Sequence, residues 1–170
     1  AIFSLPMFSQ RLPLPHFLAY PSIDPLSAKN RVLPREDIDR VLERLGVPRD
    51  KPILLQVSRF DRFKDPVGVV AEYRLVKKSH DCRLVLAGGT VTDDPEAAEV
   101  LAEVQEAVCT DPDVHILLLL PTADLEINAL QRAATIVYQK STREGFGLTV
   151  AEALWKGKPV IGGETGGITV

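Results

Sequence analysis

From residue 34 onward the apolar positions fall into two alternating rhythms. Ile38, Val41, Leu42 and Leu45 recur at helical spacing and Gly46 follows them, which predicts a helix closed by a glycine. The next run, 52–57, is apolar through Ile53, Leu54, Leu55 and Val57 and reads as a buried strand. The alternation then continues. Helices are expected at 67–78, 95–108, 125–134 and 148–156, and strands at 83–87, 114–119, 135–138 and 159–161. Strands that are apolar on both faces and separated by helices imply a parallel sheet covered on both sides. The expected fold is therefore α/β, a Rossmann-like parallel sheet with helices on both faces. In such sheets ligands sit beyond the carboxyl ends of the strands, so the loops after Val57, Ala87, Leu120 and Tyr138 should share one rim. The first thirty residues are proline-dense, keep neither rhythm, and read as a tail or connector.

Composition narrows the chemistry. With 45% apolar and 25% charged residues in 170, one folded domain is the natural expectation. A net charge of −3 argues against nucleic acid as a partner, so an anionic ligand has to be met by a few placed cations. Cys82 and Cys109 lack metal-site spacing, and His16, His80 and His115 are scattered, so no metal is expected. The apolar run 116–120 is far too short to cross a bilayer, and the reading is cytoplasmic, without a membrane partner. Oligomeric state is open, a homodimer being one arrangement.

Two rim loops carry the candidate chemistry. After the strand ending at Val57 come Ser58, Arg59, Arg62 and Lys64, where Arg59 can fork onto two phosphate oxygens and Lys64 can act as a mobile point charge. The same residues also fit a solvated loop in which Arg62 and Arg59 pair with Asp61 and Asp65. Asp65 and Pro66 have the form of a helix start. The second loop runs from Glu144 through Gly145, Phe146 and Gly147 into a helix bearing Leu148, Thr149 and Glu152. Its glycines allow close approach of a ligand, and the free amides of the helix's first turn favour a diphosphate near Gly147, Leu148 and Thr149. Taken alone, Glu152 also fits a helix-stabilising acid near an N-terminus, and Glu144 a loop acid paired with Arg143. Gly88, Gly89, Leu120 and Pro121 could border a flat base, or simply turn the chain. Phe60, Phe63 and Phe146 could stack on a base, or anchor their loops. The glycines at 162, 163, 166 and 167 are a weaker signal of a further rim loop.

Val57, Ser58, Arg59 and Lys64, then Glu144 to Leu148 with Glu152 eight residues on, then 157–161 and Gly166 with Gly167, stand in an order that resembles the donor-binding domain of the family-4 retaining glycosyltransferases. The wording of 58–66, with its lead-in at 21–26, is more particularly similar to the glycosyltransferring trehalose synthases. The resemblance implies one half of a two-domain GT-B enzyme, with 23–170 as a nucleotide-sugar (donor) binding domain, incomplete at its C-terminus. Residues 1–22 would be a connector or remnant of an acceptor domain. Catalytic roles would fall to Glu144, Arg59 and Lys64, with the two cations on the diphosphate and Glu144 at the sugar. Gly145, Phe146, Gly147, Leu148, Thr149 and Leu120 would line the donor, and Glu152 would hold the ribose. The reaction implied is retaining transfer of glucose from a nucleoside diphosphate glucose to glucose, giving trehalose, with no metal or other cofactor. The acceptor would be met through the N-terminal domain, and the chain alone would bind nucleotide weakly and catalyse nothing. Glu164 departs from the small or apolar residue usual before the glycine pair. Other family-4 hexosyltransferases, a nucleotide-sugar epimerase of the same fold and a non-catalytic nucleotide-binding interaction module remain alternatives. A glycosidase using Glu144 and Glu152 leaves Arg59 and Lys64 without a role.

Overall fold

The computed structural model describes residues 1–89 and 95–169; Val170, the last residue of the expected donor domain, lies outside them. In chain order the elements are β1 (Ile2–Phe3), β2 (Phe17–Leu18), α1 (Arg35–Arg44), β3 (Ile53–Val57), α2 (Pro66–Lys77), β4 (Arg83–Gly88), α3 (Pro95–Val108), β5 (Val114–Leu118), α4 (Asp124–Ala133), β6 (Ile136–Gln139), α5 (Leu148–Trp155) and β7 (Val160–Gly162). Strands β3 to β7 form one parallel sheet in the order β5-β4-β3-β6-β7.

The central strands β3 and β4 are short, wholly buried and apolar apart from Gln56 and Arg83, as a sheet covered on both faces demands. Alternate residues feed two cores. Leu55, Val57, Val85, Ala87 and Val137 pack with α1, α4 and Ala153 of α5. Leu54, Leu84, Leu86 and Tyr138 pack on the opposite face with Val69, Val70 and Tyr73 of α2 and Val100 and Val104 of α3. Helix ends follow local chemistry. Gly46 takes φ +68° just past α1, and Asp65 caps α2 by accepting from the Gly68 amide at 3.0 Å while Pro66 occupies the first helical position. Among the described residues no helix is long and apolar enough to cross a membrane.

The first thirty residues are more ordered than a tail. β1 and β2 pair in parallel, a 3-10 turn spans Pro6–Phe8, and Leu5 is fully buried. Two-residue strands are too short to display a period, so the hydrophobic pattern could not reveal them. Residues 28–31 are docked on α4, where Asn128 donates to the carbonyls of Ala28 and Arg31, and Arg132 to those of Asn30 and Arg31.

Candidate donor site

Successive parallel strands deliver their carboxyl ends to one rim. The Ser58 amide bonds Ala87, Leu119 bonds Gly88, and Gly163 bonds Gln139, each at 2.8 to 3.0 Å, so the loops leave the sheet side by side. Gly88 is required for this approach, because a Cβ there would lie 1.7 Å from the Ser58 carbonyl oxygen.

The loop after β3 is built to present its cations. Phe60 is buried in the core under α2 and α3 and anchors the loop. Asp61 accepts from the Lys64 amide at 3.1 Å, and Gln56 donates to the Lys64 carbonyl at 2.7 Å, which fixes the backbone at Lys64. Arg59 is 62% exposed, with Nη2 3.0 Å from Asp61 Oδ2. Arg62 faces away, toward Glu99 and Glu103 of α3, and Asp65 meets Lys140. The loop thus joins both sequence readings: Arg59 is paired, yet it stands at the rim.

The Thr142 amide bonds the Phe63 carbonyl at 2.8 Å and ties this loop to the one after β6. Lys64 Nζ lies 2.6 Å from Glu144 Oε2. Two further donors converge on that oxygen, Gln139 Nε2 at 2.9 Å and Ser141 Oγ at 3.2 Å, and Oε1 accepts from the Gly145 amide at 3.0 Å. Burial pushes the Glu144 carboxyl upward, but Lys64, Gln139 and the Gly145 amide outweigh it and hold the group below its usual range. Glu144 is therefore a fixed anion. The turn behind it is buttressed by the glycine pair near the chain's end, where Gly167 donates to Gly145 at 3.1 Å. A Cβ on Gly166 would lie 1.8 Å from the Glu144 carbonyl oxygen.

Gly147, at φ +86°, turns the chain into α5, whose N-terminus no side chain caps. The positive end of this helix opens toward a cavity of about 290 Å³ lined by Ser58, Arg59, Lys64, Glu144, Phe146 and 147–149. Arg59, Lys64, Glu144, Phe146, Gly147, Leu148 and Thr149 are thus brought together. Gly145 borders an adjoining cavity, and Leu120 is 74% exposed and outside the lining of the first. Glu152 is not presented to the cavity. It is 4% exposed, with Oε1 3.0 Å from Lys29 Nζ and Oε2 accepting from Gln131 Nε2 at 3.2 Å. Nearby, burial lowers the Lys156 ammonium to about 8, against the opposing pull of Glu152.

Gln139, Ser141 and Lys29 were not singled out by the sequence reading. A polar residue closing a buried strand, as Gln139 closes β6, was the available signal. Among the described residues no group of three or more His, Cys, Asp or Glu could hold a metal ion.

Residues 37–170 match the family described as Glycosyl transferases group 1. The chain belongs to this family. Among curated relatives it is 49% identical to a trehalose synthase of Pyrococcus horikoshii and 46% identical to one of Rubrobacter xylanophilus, each over 150 residues. Those matches cover 87% of this chain and 36% of each relative, so the chain spans about a third of their length. In structure this glycosyltransferase chain is similar to Anabaena HepE in complex with UDP-glucose, at a TM-score of 0.69, 20% identity, and coverage of 91% of this chain and 40% of that one. The fold expected from the hydrophobic pattern, a Rossmann-like parallel sheet with helices on both faces, is borne out, and so is the GT-B architecture that the resemblance implied.

Proposed function

We propose that this chain is the donor-binding half of a retaining hexosyltransferase that moves glucose from a nucleoside diphosphate glucose to glucose, making trehalose. The observation that carries the reading is the Lys64–Glu144 contact of 2.6 Å, which joins the cationic loop and the glycine-glutamate turn beside the uncapped end of α5. The similarity to two trehalose synthases supports the product, and the UDP-glucose held by a protein of the same fold supports the donor class.

In this reading the diphosphate lies against the amides of Leu148 and Thr149, with Arg59 and Lys64 on its oxygens. As the bond from the anomeric carbon to the phosphate oxygen breaks, its electron pair leaves on the phosphate. The two cations stabilise that growing charge in a site already organised around them. Glu144, kept ionised, accepts hydrogen bonds from sugar hydroxyls and faces the positive charge developing at the anomeric carbon. The acceptor hydroxyl attacks from the face the phosphate leaves, and its proton passes to the phosphate oxygen. No metal takes part. Ribose hydroxyls reach Glu152 by exchanging with Lys29 on Oε1. Residues 23–170 form the donor domain, 1–22 lead to an acceptor domain, and the setting is cytoplasmic.

The test is product analysis on the polypeptide that carries both halves, supplied with UDP-, ADP- or GDP-glucose and glucose. Trehalose should form from at least one donor, and Arg59→Ala and Glu144→Ala should each lower the rate about 100-fold or more. Epimerised nucleotide sugar in place of trehalose, or near-normal rates in both variants, would contradict the assignment.

A further inference from the structure

Around Glu152, the helices α4 and α5 and the docked segment 28–31 bury a network of amides and charges. Gln131 and Asn128 are fully buried, and Asn30 and Glu152 nearly so. Polar groups taken this far from water are costly unless each finds a partner, so the pairing fixes the way they point.

The ammonium of Lys156 organises the network. Its Nζ donates to Gln131 Oε1 at 2.7 Å, to Asn30 Oδ1 at 2.8 Å and to the Glu152 carbonyl at 3.4 Å. Three acceptors thus meet the three protons of a charged lysine, and an ammonium can only donate. That one-sidedness sets both amides. Gln131 and Asn30 must turn their oxygens toward Lys156, which leaves their NH2 groups to face other partners. Asn30 Nδ2 donates to the Asp24 carbonyl at 3.0 Å, and Gln131 Nε2 donates to Glu152 Oε2 at 3.2 Å. With the Gln131 amide reversed, its oxygen would face a carboxylate oxygen, and neither atom could donate.

The two oxygens of Glu152 are therefore held unequally. Oε2 is held by Gln131, fully buried on α4, whereas Oε1 is held by Lys29, whose side chain is 31% exposed. Only the second contact can be exchanged for a ligand without opening the packing of α4. We propose that Gln131 and Lys156 are positioning residues for the donor ribose: Lys156 fixes the amide of Gln131, and Gln131 holds Glu152 with Oε1 turned to the ribose hydroxyls. The proposal rests on the donor reading above and adds to it the groups that set ribose selectivity. The charge on Lys156 then enters the affinity. Burial lowers this ammonium to about 8; Glu152 of its own helix opposes the shift, while Arg132 of α4 and Lys29 of the docked segment add to it. A neutral amine carries a lone pair in place of one proton and can accept from an amide, so the Gln131 amide becomes free to reverse.

The experiment is an amide NMR titration of the chain with the tightest-binding of UDP, ADP and GDP, and then with the 2′,3′-dideoxy analogue of that nucleotide. The ratio of the two affinities reads the ribose contacts alone, since base and diphosphate are common to both. At neutral pH the unaltered chain should favour the ribose form about tenfold, the size of one hydrogen bond to a charged group. Lys156→Met and Gln131→Leu should each cut that ratio to about twofold, through loss of affinity for the ribose form, and Lys156→Arg should retain most of it. Raising the pH from about 7 to about 9.5 should lower the ratio in the unaltered chain and leave it unchanged in Lys156→Met. The pH arm on the unaltered chain reads the same device without any substitution. A folded chain that binds no nucleotide overturns the donor reading and the proposal with it. A chain that binds both nucleotides equally, or that keeps its ratio in Lys156→Met and across the pH range, overturns the proposal while the phosphate contacts stand.

Discussion

The two ends of the sheet carry charge in opposite ways. At the amino ends of β3, β4 and β5, three cations converge on one carboxylate: Lys51 and Lys77 lie 2.8 and 2.6 Å from Asp113 Oδ2, and Arg83 lies 3.2 Å from Oδ1. Arg83 also binds Asp50 and the Pro48 carbonyl, and its side chain is 6% exposed. At the carboxyl ends, Arg59 is 62% exposed, and the Lys64–Glu144 pair opens onto two cavities. The same residue types form a closed ion cluster at one end and an open one at the other. Ion pairs shut within the chain fix the fold, whereas those beside an uncapped helix end and a cavity can exchange their partners for a ligand.

Breaking the closed cluster should have the largest effect on stability. Asp113→Ala leaves Arg83 buried with its charge under-compensated and should cost about 3 kcal/mol in urea unfolding, without altering nucleotide affinity in the folded fraction. The pH dependence follows from the same group. Hydrogen bonds from Lys51 and Lys77 hold the Asp113 carboxyl at about 2, below the unfolded value near 3.9. Its contribution is complete above about pH 4 and is lost as pH falls through 2, so acid unfolding should lose that pH-dependent component in the variant.

Gly166→Ala attacks the open end through its scaffold. At φ +52°, with a Cβ 1.8 Å from the Glu144 carbonyl, it should cost about 2 kcal/mol and displace the Glu144 turn, lowering UDP affinity as well. Lys64→Ala should cost about 1 kcal/mol, because Glu144 keeps Gln139, Ser141 and the Gly145 amide. It should also raise the Glu144 carboxyl pKa measured by carbon NMR. Arg59→Ala should perturb stability least, by about 1 kcal/mol or less, while weakening UDP about tenfold. A closed-end variant that abolished UDP binding in the folded state would erase the contrast.

The sheet and its five main helices were legible because strands β3 and β4 are apolar apart from Gln56 and the leading Arg83, and each helix repeats its apolar face. The site was legible only in part. Spacing identified Arg59, Lys64 and Glu144, and the fold brought them together, since parallel strands send their carboxyl ends to one rim. It could not show that Lys29, more than a hundred residues away in sequence, occupies Glu152, because that contact depends on the docking of 28–31 against α4. Nor could it show that Gln139 serves Glu144 or that Gly166 and Gly167 support its turn, since both are tertiary contacts made by residues with ordinary local roles.

In the proposed function the rim holds a nucleoside diphosphate between the end of α5 and the cations of the β3 loop. Amide NMR of the chain titrated with UDP, ADP and GDP tests it most directly. At least one nucleotide should shift Ser58, Gly147, Leu148 and Thr149, weakly but saturably, and Arg59→Ala combined with Lys64→Ala should abolish the shifts. A folded chain in which no nucleotide moves these amides, or in which the double variant responds like the unaltered chain, would contradict it.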